Sequence, residues 1–304
     1  MVNKISPPRH FVILSGKGGT GKTTLAAALS VLIRKRVMAD VDVDAADLHI
    51  LLKPQLQESY PYLGGKKAFI DSHRCTQCGI CQEYCRFEAI QNYQINPLAC
   101  EGCGFCMQLC PEKAIELQEV VSGFYHEGLI DGGKFVDAAL QPGEGNSGKL
   151  VSQVKKRAAE LAKSTASDWL IVDGAPGIGC PVNASLTGVD LAVIVTEPTI
   201  SGLHDLERLV TLLQRFHIST GLVINKADLN TMICSRIKSF AENKRIPILG
   251  MIPFDEAVVT ALLEEKIITD FPDSPASQEI VQIFKNISSF FEMKSENKCF
   301  QEIR

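Results

Sequence analysis

The chain has 304 residues, enough for one large domain with a full core and a smaller module beside it. Hydrophobic residues make up 45% and charged ones 22%, which excludes a disordered chain; 31 basic against 35 acidic side chains leave a net charge of −4, which disfavours a nucleic-acid-coating protein or a polybasic membrane binder. No apolar run approaches the ~18 residues of a spanning helix, and the apolar stretch at 11–14 is too short for a signal-peptide core, so the expected location is cytoplasmic.

Residues 10–14 form a short β-rich apolar run that leads into Ser15-Gly-Lys-Gly-Gly-Thr-Gly-Lys-Thr-Thr24, followed by a helix-favouring run at 25–35 and a second strand at 36–41. Further apolar strands are expected at 169–172, 191–196, 221–224 and 248–252, with helices at 202–216 and 232–243 between them and a helical apolar pattern at 277–291. Strands alternating with helices imply an α/β fold with a mostly parallel, doubly wound sheet. The alternation breaks off between about 55 and 119, where cysteines and turn residues replace apolar periodicity, and resumes near Asp168. The expected organisation is a nucleotide-binding domain in two parts, 1–60 and 120–294, an inserted domain at 61–119, and a frayed tail at 295–304.

The glycine-rich segment satisfies G-x4-G-K-[ST] and stands between an expected strand and an expected helix. In such a loop the backbone N–H groups of Gly16, Gly18, Gly19, Thr20 and Gly21, with the helix start at Thr23 and Thr24, converge on phosphate oxygens. Lys22 reaches the β- and γ-phosphates, and the Thr23 hydroxyl ligates Mg²⁺. Two acidic segments end other strands: Asp40-Val-Asp42-Val-Asp44, and Asp173-Gly-Ala-Pro-Gly177. Asn225-Lys-Ala-Asp228 resembles the base-reading segment of GTPases, which leaves GTP as a rival to ATP.

Eight of the 11 cysteines fall between Cys75 and Cys110, and Cys180, Cys234 and Cys299 are scattered. The eight form a repeat, Cys75-x2-Cys78-x2-Cys81-x3-Cys85 and Cys100-x2-Cys103-x2-Cys106-x3-Cys110, offset by 25 residues. A dense local set in a chain without a secretory signal reads as metal binding rather than a disulfide framework. Zinc also takes four thiolates, but paired C-x2-C knuckles would leave this doubled four-cysteine run without a use.

The second lysine of the loop, Lys17, gives the sequence a resemblance to MinD-type ATPases, a group that includes the nitrogenase iron protein, the ParA partition ATPases and the Mrp-type scaffolds. The resemblance implies a nucleotide-dependent homodimer, or a dimer with a paralogous ATPase, in which Lys17 reaches the partner's phosphates. It also implies that Asp42 positions the attacking water, that Asp40 lies near Mg²⁺, that Asp173 holds Mg²⁺ through water with Gly177 near the γ-phosphate, and that Asn225, with Asp228, contacts the base, adenine being favoured. The cysteine repeat resembles bacterial two-cluster ferredoxins over about 66–119, implying one [4Fe–4S] cluster on Cys75, Cys78, Cys81 and Cys110 and a second on Cys85, Cys100, Cys103 and Cys106. Arg86 stands after Cys85 where that pattern expects proline.

The combination resembles MinD-superfamily ATPases with a bacterial ferredoxin-like α+β domain inserted after the first acidic switch. It implies ATP, Mg²⁺ and two [4Fe–4S] clusters as cofactors, and ATP hydrolysis coupled to electron transfer to an unidentified redox partner. The rival readings are an ATP-dependent carrier or scaffold that serves an apo iron–sulfur protein, and a redox-sensing positioning ATPase. Cys180 is read either as one half of a cluster bridge at the dimer axis or as a plain thiol, Cys234 and Cys299 as inert, and His49 and His204 as ordinary hydrogen-bonding groups. Phe290, Phe291, Ile280, Ile283 and Ile287 are expected to pack on the sheet rather than on a membrane.

Overall fold

The structure, a computed structural model, describes residues 7–145 and 147–302, with side chains as far as 294. Cys299 therefore lies outside the described side chains.

Elements follow the chain as β1 (Arg9–Ser15), α1 (Lys22–Leu32), β2 (Arg36–Asp40), α2 (Leu48–Leu52), β3 (Gln55–Ile70), α3 (Ile80–Glu83), β4 (Ile90–Gln91), β5 (Gln94–Ile95), α4 (Phe105–Leu109), β6 (Ile115–Ile130) and β7 (Gly133–Leu140). They continue as α5 (Ser147–Ser164), β8 (Trp169–Pro176), α6 (Cys180–Ser185), β9 (Leu191–Thr196), α7 (Ile200–Arg215), β10 (Ser219–Asn225), α8 (Thr231–Asn243), β11 (Ile248–Ile252), α9 (Glu256–Leu263), a 3₁₀ turn (Ile268–Asp270) and α10 (Pro275–Glu302).

Nine strands form one sheet in the order β11-β10-β9-β1-β8-β2-β7-β6-β3. The first seven are parallel, and β6 and β3 add antiparallel pairs at one edge. Parallel strands need cover on both faces, and their side chains alternate accordingly. Val12 and Leu14 of β1 join a core with Leu150, Val154, Val182, Leu206 and Ile237 from α5 to α8, while Phe11 and Ile13 join one with Leu25, Leu29, Ile280 and Ile283 from α1 and α10. Ile280, Ile283, Ile287 and Phe291 are buried and Phe290 packs partly against them, as the sequence pattern implies. Among the described residues, no helix is long and apolar enough to cross a membrane.

Three features depart from the expected elements. First, β7 is an inner strand of the sheet, between β2 and β6, in a stretch that the apolar pattern leaves blank. Second, β3 and β6 are sixteen-residue partners whose register runs from Gln55↔Leu129 to Ile70↔Ile115, so the boundaries at 61 and 119 fall inside continuous strands. Third, α10 continues to Glu302, so the tail expected from 295 is helical through that residue, and its last two residues lie outside the described ones.

Where β7 ends at Leu140 it faces Gly123, and the rest of β6, back to Ile115, extends beyond the sheet. At about 3.4 Å per residue that arm projects about 27 Å. It leaves from the carboxyl ends of the parallel strands, the side on which β1, β8 and β2 end. Residues 71–114 sit at its tip as a small lobe with its own core of Ala68, Cys81, Ala89, Ile90, Cys100 and Ile115.

The outer edge of β3 has Pro61 and register shifts at Leu56/Glu58, Tyr62/Leu63 and Leu63/Gly65. At the opposite edge, α10 covers β11: Glu279 accepts from Met251 N at 2.8 Å and Asn286 donates to Leu249 O at 2.7 Å. Ile283 is fully buried at this junction. Ile283→Ala is expected to cost about 2–5 kcal/mol, read as a lower urea midpoint with an unchanged slope.

Candidate functional site

Because β8 lies between β1 and β2, three strand ends meet at one place, and Asp40 is in direct register with Asp173. The loop after β1 closes over them. Gly19 and Gly21 take φ of +78° and +88°, where a side chain would be strained, and a Cβ at Gly21 would stand 2.4 Å from Asn225 Nδ2. Gly18 and Gly19 have nothing within 4 Å of a built Cβ, so the loop's surface is open there.

Lys22, at the start of α1, is buried and turns into the site. Its Nζ donates to Asp173 Oδ1 at 2.8 Å and lies 3.6 Å from Asp42 Oδ2 and 3.4 Å from Thr23 Oγ1. Burial opposes the ammonium, but the charges of Asp173, Asp42 and Asp40 override it and hold the Lys22 pKa above its ordinary value. Asp40 accepts from the backbone N–H groups of Asp42 at 3.0 Å and Leu48 at 3.1 Å. Burial, then repulsion by Asp173, pushes its pKa well above the usual carboxylate range, with Lys22 opposing. Burial likewise raises Asp42 to about 6, against Lys22.

Three carboxylates therefore face one ammonium. Asp173 Oδ2 and Thr20 Oγ1 are buried without a hydrogen-bond partner. An orphaned carboxylate oxygen beside surplus negative charge fits a divalent cation, and the Thr20 hydroxyl with the adjoining N–H groups fits phosphate. Gly177, at φ +86°, donates its N–H to Ser15 O at 2.8 Å and so joins the segment after Asp173 to the base of the loop. Thr24 is half-buried in the first turn of α1.

Lys17 stays on the surface of its own protomer, 38% exposed, 3.8 Å from Glu197 Oε2 and 3.4 Å from Ser201 Oγ. Glu197 also pairs with Lys226 at 2.6 Å. The sequence assigns Glu197 no role; the signal available is an acidic residue following β9 on the same edge as Asp173. Asn225 donates to Thr20 O at 2.8 Å and so braces the loop from β10. Asp228 is turned to a backbone role, accepting from Phe254 N at 2.7 Å. His49 lies 3.8 Å from Asp137, which bonds His126 at 2.9 Å, and His204 lies 3.9 Å from Asp205.

In the lobe, the two cysteine sets fall on different cavities. Cys75, Cys78, Cys81 and Cys110 line one; Cys85, Cys100, Cys103 and Cys106 line another of about 270 Å³, which also borders Arg86 and Cys81. Burial raises the Cys81 thiol, with Cys75, Cys78 and Cys110 among the negative neighbours; burial also raises Cys106, with Cys100 and Cys103. Ala114 N donates to Cys110 Sγ at 3.3 Å and Ala68 N to Cys100 Sγ at 3.4 Å.

All eight are free thiols, and among the described residues no three His, Cys, Asp or Glu side chains stand close enough to hold a single metal ion. The second cavity has the volume for a group larger than a single ion; the first, about 20 Å³, gathers its four sulfurs around a space of little more than one water. Cys180 is exposed at the start of α6 and Cys234 is buried in α8.

Residues 11–268 match the CobQ/CobB/MinD/ParA nucleotide binding domain, and the chain belongs to that family. It is a P-loop ATPase of the MinD/ParA type. An uncharacterised protein of Methanocaldococcus jannaschii is 34% identical over 287 residues, covering 92% of this chain and 96% of its own. The septum site-determining protein MinD of a Synechocystis strain is 25% identical, over 85% of this chain and 84% of its own. Among solved structures, MinD of Pyrococcus horikoshii in complex with Mg-ADP superposes with a TM-score of 0.56 at 19% identity, covering 94% of this chain and 98% of that one.

The raised pKa of Asp42 gives a pH test. Its carboxyl binds a proton more readily folded, at about 6, than unfolded, at the ordinary value of 3.8, so its ionisation costs stability progressively as pH rises from 4 to 6 and the cost is constant above. Asp42→Asn is expected to raise the melting temperature of the nucleotide-free protein at pH 7.5, with the gain shrinking toward pH 5, while ATP turnover is lost.

Proposed function

We propose that this ATPase is a Mg-ATP-driven iron–sulfur protein, in which nucleotide-dependent dimer and switch changes control electron transfer through two [4Fe–4S] clusters to a partner protein. The observation that carries the reading is the convergence of each cysteine set, including the crossover of Cys110 to the first and Cys85 to the second, on its own cavity at the tip of an arm leaving the nucleotide side of the sheet.

On this reading, incoming phosphates draw Lys22 from Asp173 and Asp42, and Asp173, Asp40 and Thr23 then hold Mg²⁺ directly or through water. Asp42, released, orients the attacking water. Lys17 leaves Glu197 and Ser201 and crosses the dimer to stabilise charge on the transferred phosphoryl group, as an arginine finger does. Asn225 stands at the loop to contact adenine, with Asp228 behind it. In the lobe, Cys75, Cys78, Cys81 and Cys110 hold one cluster and Cys85, Cys100, Cys103 and Cys106 the other. When bound, the clusters supply one-electron redox chemistry at low potential. Full sets of four protein thiolates favour retention of clusters over their delivery. The exposure of Cys78 and Cys103 is the feature that favours the second reading, a carrier that hands a cluster to an apo protein.

Protein purified without oxygen is expected to be brown and to carry about eight irons per chain, with Cys75→Ser and Cys100→Ser each removing one cluster's spectroscopic signal first. A colourless protein with stoichiometric zinc overturns the iron–sulfur reading, and transfer of iron to an apo-acceptor moves the carrier ahead. Separately, mixing Lys17→Ala with Lys22→Ala protein is expected to restore part of the ATPase activity through mixed dimers. Wild-type rates for Lys17→Ala alone would rule out a role in trans.

A further inference from the structure

The lobe is joined to the ATPase body by more than the two strands of its arm. Lys67, in the projecting half of β3, is largely buried, with its side chain 13% exposed, and its Nζ lies 3.0 Å from Glu144 Oε1, itself 12% exposed. The same ammonium donates to Cys100 O at 2.9 Å. Around it the lobe is pressed onto the arm: Ala68 N reaches Cys100 Sγ, and a Cβ at Gly102, whose φ is +61°, would stand 1.9 Å from Lys66 O. Among the described residues, Lys67–Glu144 is the one ion pair that joins the projecting arm or the lobe to the rest of the chain.

Glu144 belongs to the loop between β7 and α5, and the start of that helix rests on the switch side of the nucleotide site. A Cβ at Gly148 would lie 3.2 Å from Cys180 Cβ, at the first turn of α6. Further along α5, buried Lys155 donates to Ser185 O at 2.5 Å and Thr187 O at 2.7 Å, so α5 grips α6 near both ends. The segment from Asp173 to Gly177 leads into α6, and Gly177 is bonded to the base of the phosphate loop. The segment 174–180 therefore runs directly into α6 and, through α6, touches the start of α5, the helix that follows the Glu144 loop.

We propose that the Lys67–Glu144 pair is the linkage through which nucleotide state reaches the Cys100 segment, and that Lys67 is a positioning residue for the metal group held there. The second half rests on the iron–sulfur reading; the first does not. Both charges are mostly out of water, where their interaction is less screened than at the surface, so a small change in separation alters the field at Cys100. The Lys67 charge favours the reduced, more negative state of a group on Cys100, and Glu144 offsets it. A ligand shifts such a state only through contacts that differ between the two conformations, and this pair is placed to differ.

The test compares wild type, the single variants Lys67→Met and Glu144→Gln, and Lys67→Arg as the conservative control. Hydrogen exchange over residues 98–106 is followed with and without a non-hydrolysable ATP analogue. In the wild type the analogue is expected to change exchange at least about fivefold, the low end of allosteric couplings. The change is expected to be lost in both single variants and kept in part in Lys67→Arg, which retains the charge and the donor and so separates their loss from a folding defect.

Redox titration of the anaerobic protein is expected to put the Cys100-side potential lower in Lys67→Met and higher in Glu144→Gln, each by about 59 mV, a tenfold change for one electron. The other cluster is expected to stay put. No nucleotide effect in the wild type, or one that survives in both single variants, overturns the linkage even in iron-replete protein. An iron-free protein that shows the expected exchange pattern keeps the linkage, removes the positioning role and overturns the iron–sulfur reading.

Discussion

The buried contact between Lys22 and Asp173 is the constraint on which the rest of the molecule is arranged. An ammonium this far from water is tolerable only when carboxylates surround it, and the carboxylates in turn are tolerable only beside a cation. The sheet order delivers this balance: placing β8 between β1 and β2 sets Asp173 against Asp40 in register, with the helix that begins at Lys22 directly above them. The balance is incomplete, since Asp40 and Asp42 are both pushed toward their protonated forms. A cation and a polyphosphate would together complete that balance, with Lys22, on the proposed mechanism, passing from carboxylate to phosphate.

The same economy of charge governs Lys17. In the single chain it lies against Glu197, which it shares with Lys226. On the proposed mechanism, a role for Lys17 in another protomer begins with the exchange of one carboxylate for a phosphate, the same exchange proposed for Lys22 within the chain.

Much of this was legible in the sequence. The phosphate loop, the acidic strand ends and the β8 to β11 strands announce themselves because glycine chemistry and continuous apolar runs are local signals. The arm was not legible. Gln55–Ile70 is exposed at many positions and contains Pro61 and Gly64-Gly65, so its apolar alternation is diluted, and its partner is nearly fifty residues away. β7 was overlooked because Gly133–Leu140 mixes lysine and aspartate into a short run after a stretch read as insertion. Pairings such as Lys67 with Glu144, or Lys17 with Glu197, depend on tertiary placement and leave no periodic trace. Asp228 adds a contact its motif does not announce: in the fold one carboxylate oxygen accepts from a backbone N–H of the turn after β11.

A nine-stranded sheet has two edges, and an arm that projects as a bare two-stranded ribbon offers the longest of them to any other chain. Open N–H and C=O groups in such a row invite a foreign strand. At β11 those groups are already taken by Glu279 and Asn286. Along β3 the interruption is of another kind: Pro61 removes a donor, three shifts in register spoil the repeat, and the exposed Lys66 places positive charge beyond them. The ribbon can therefore stand away from the body, long and half-wetted, without becoming a template for strand-by-strand aggregation, and a partner that grips it must read side chains rather than extend the sheet.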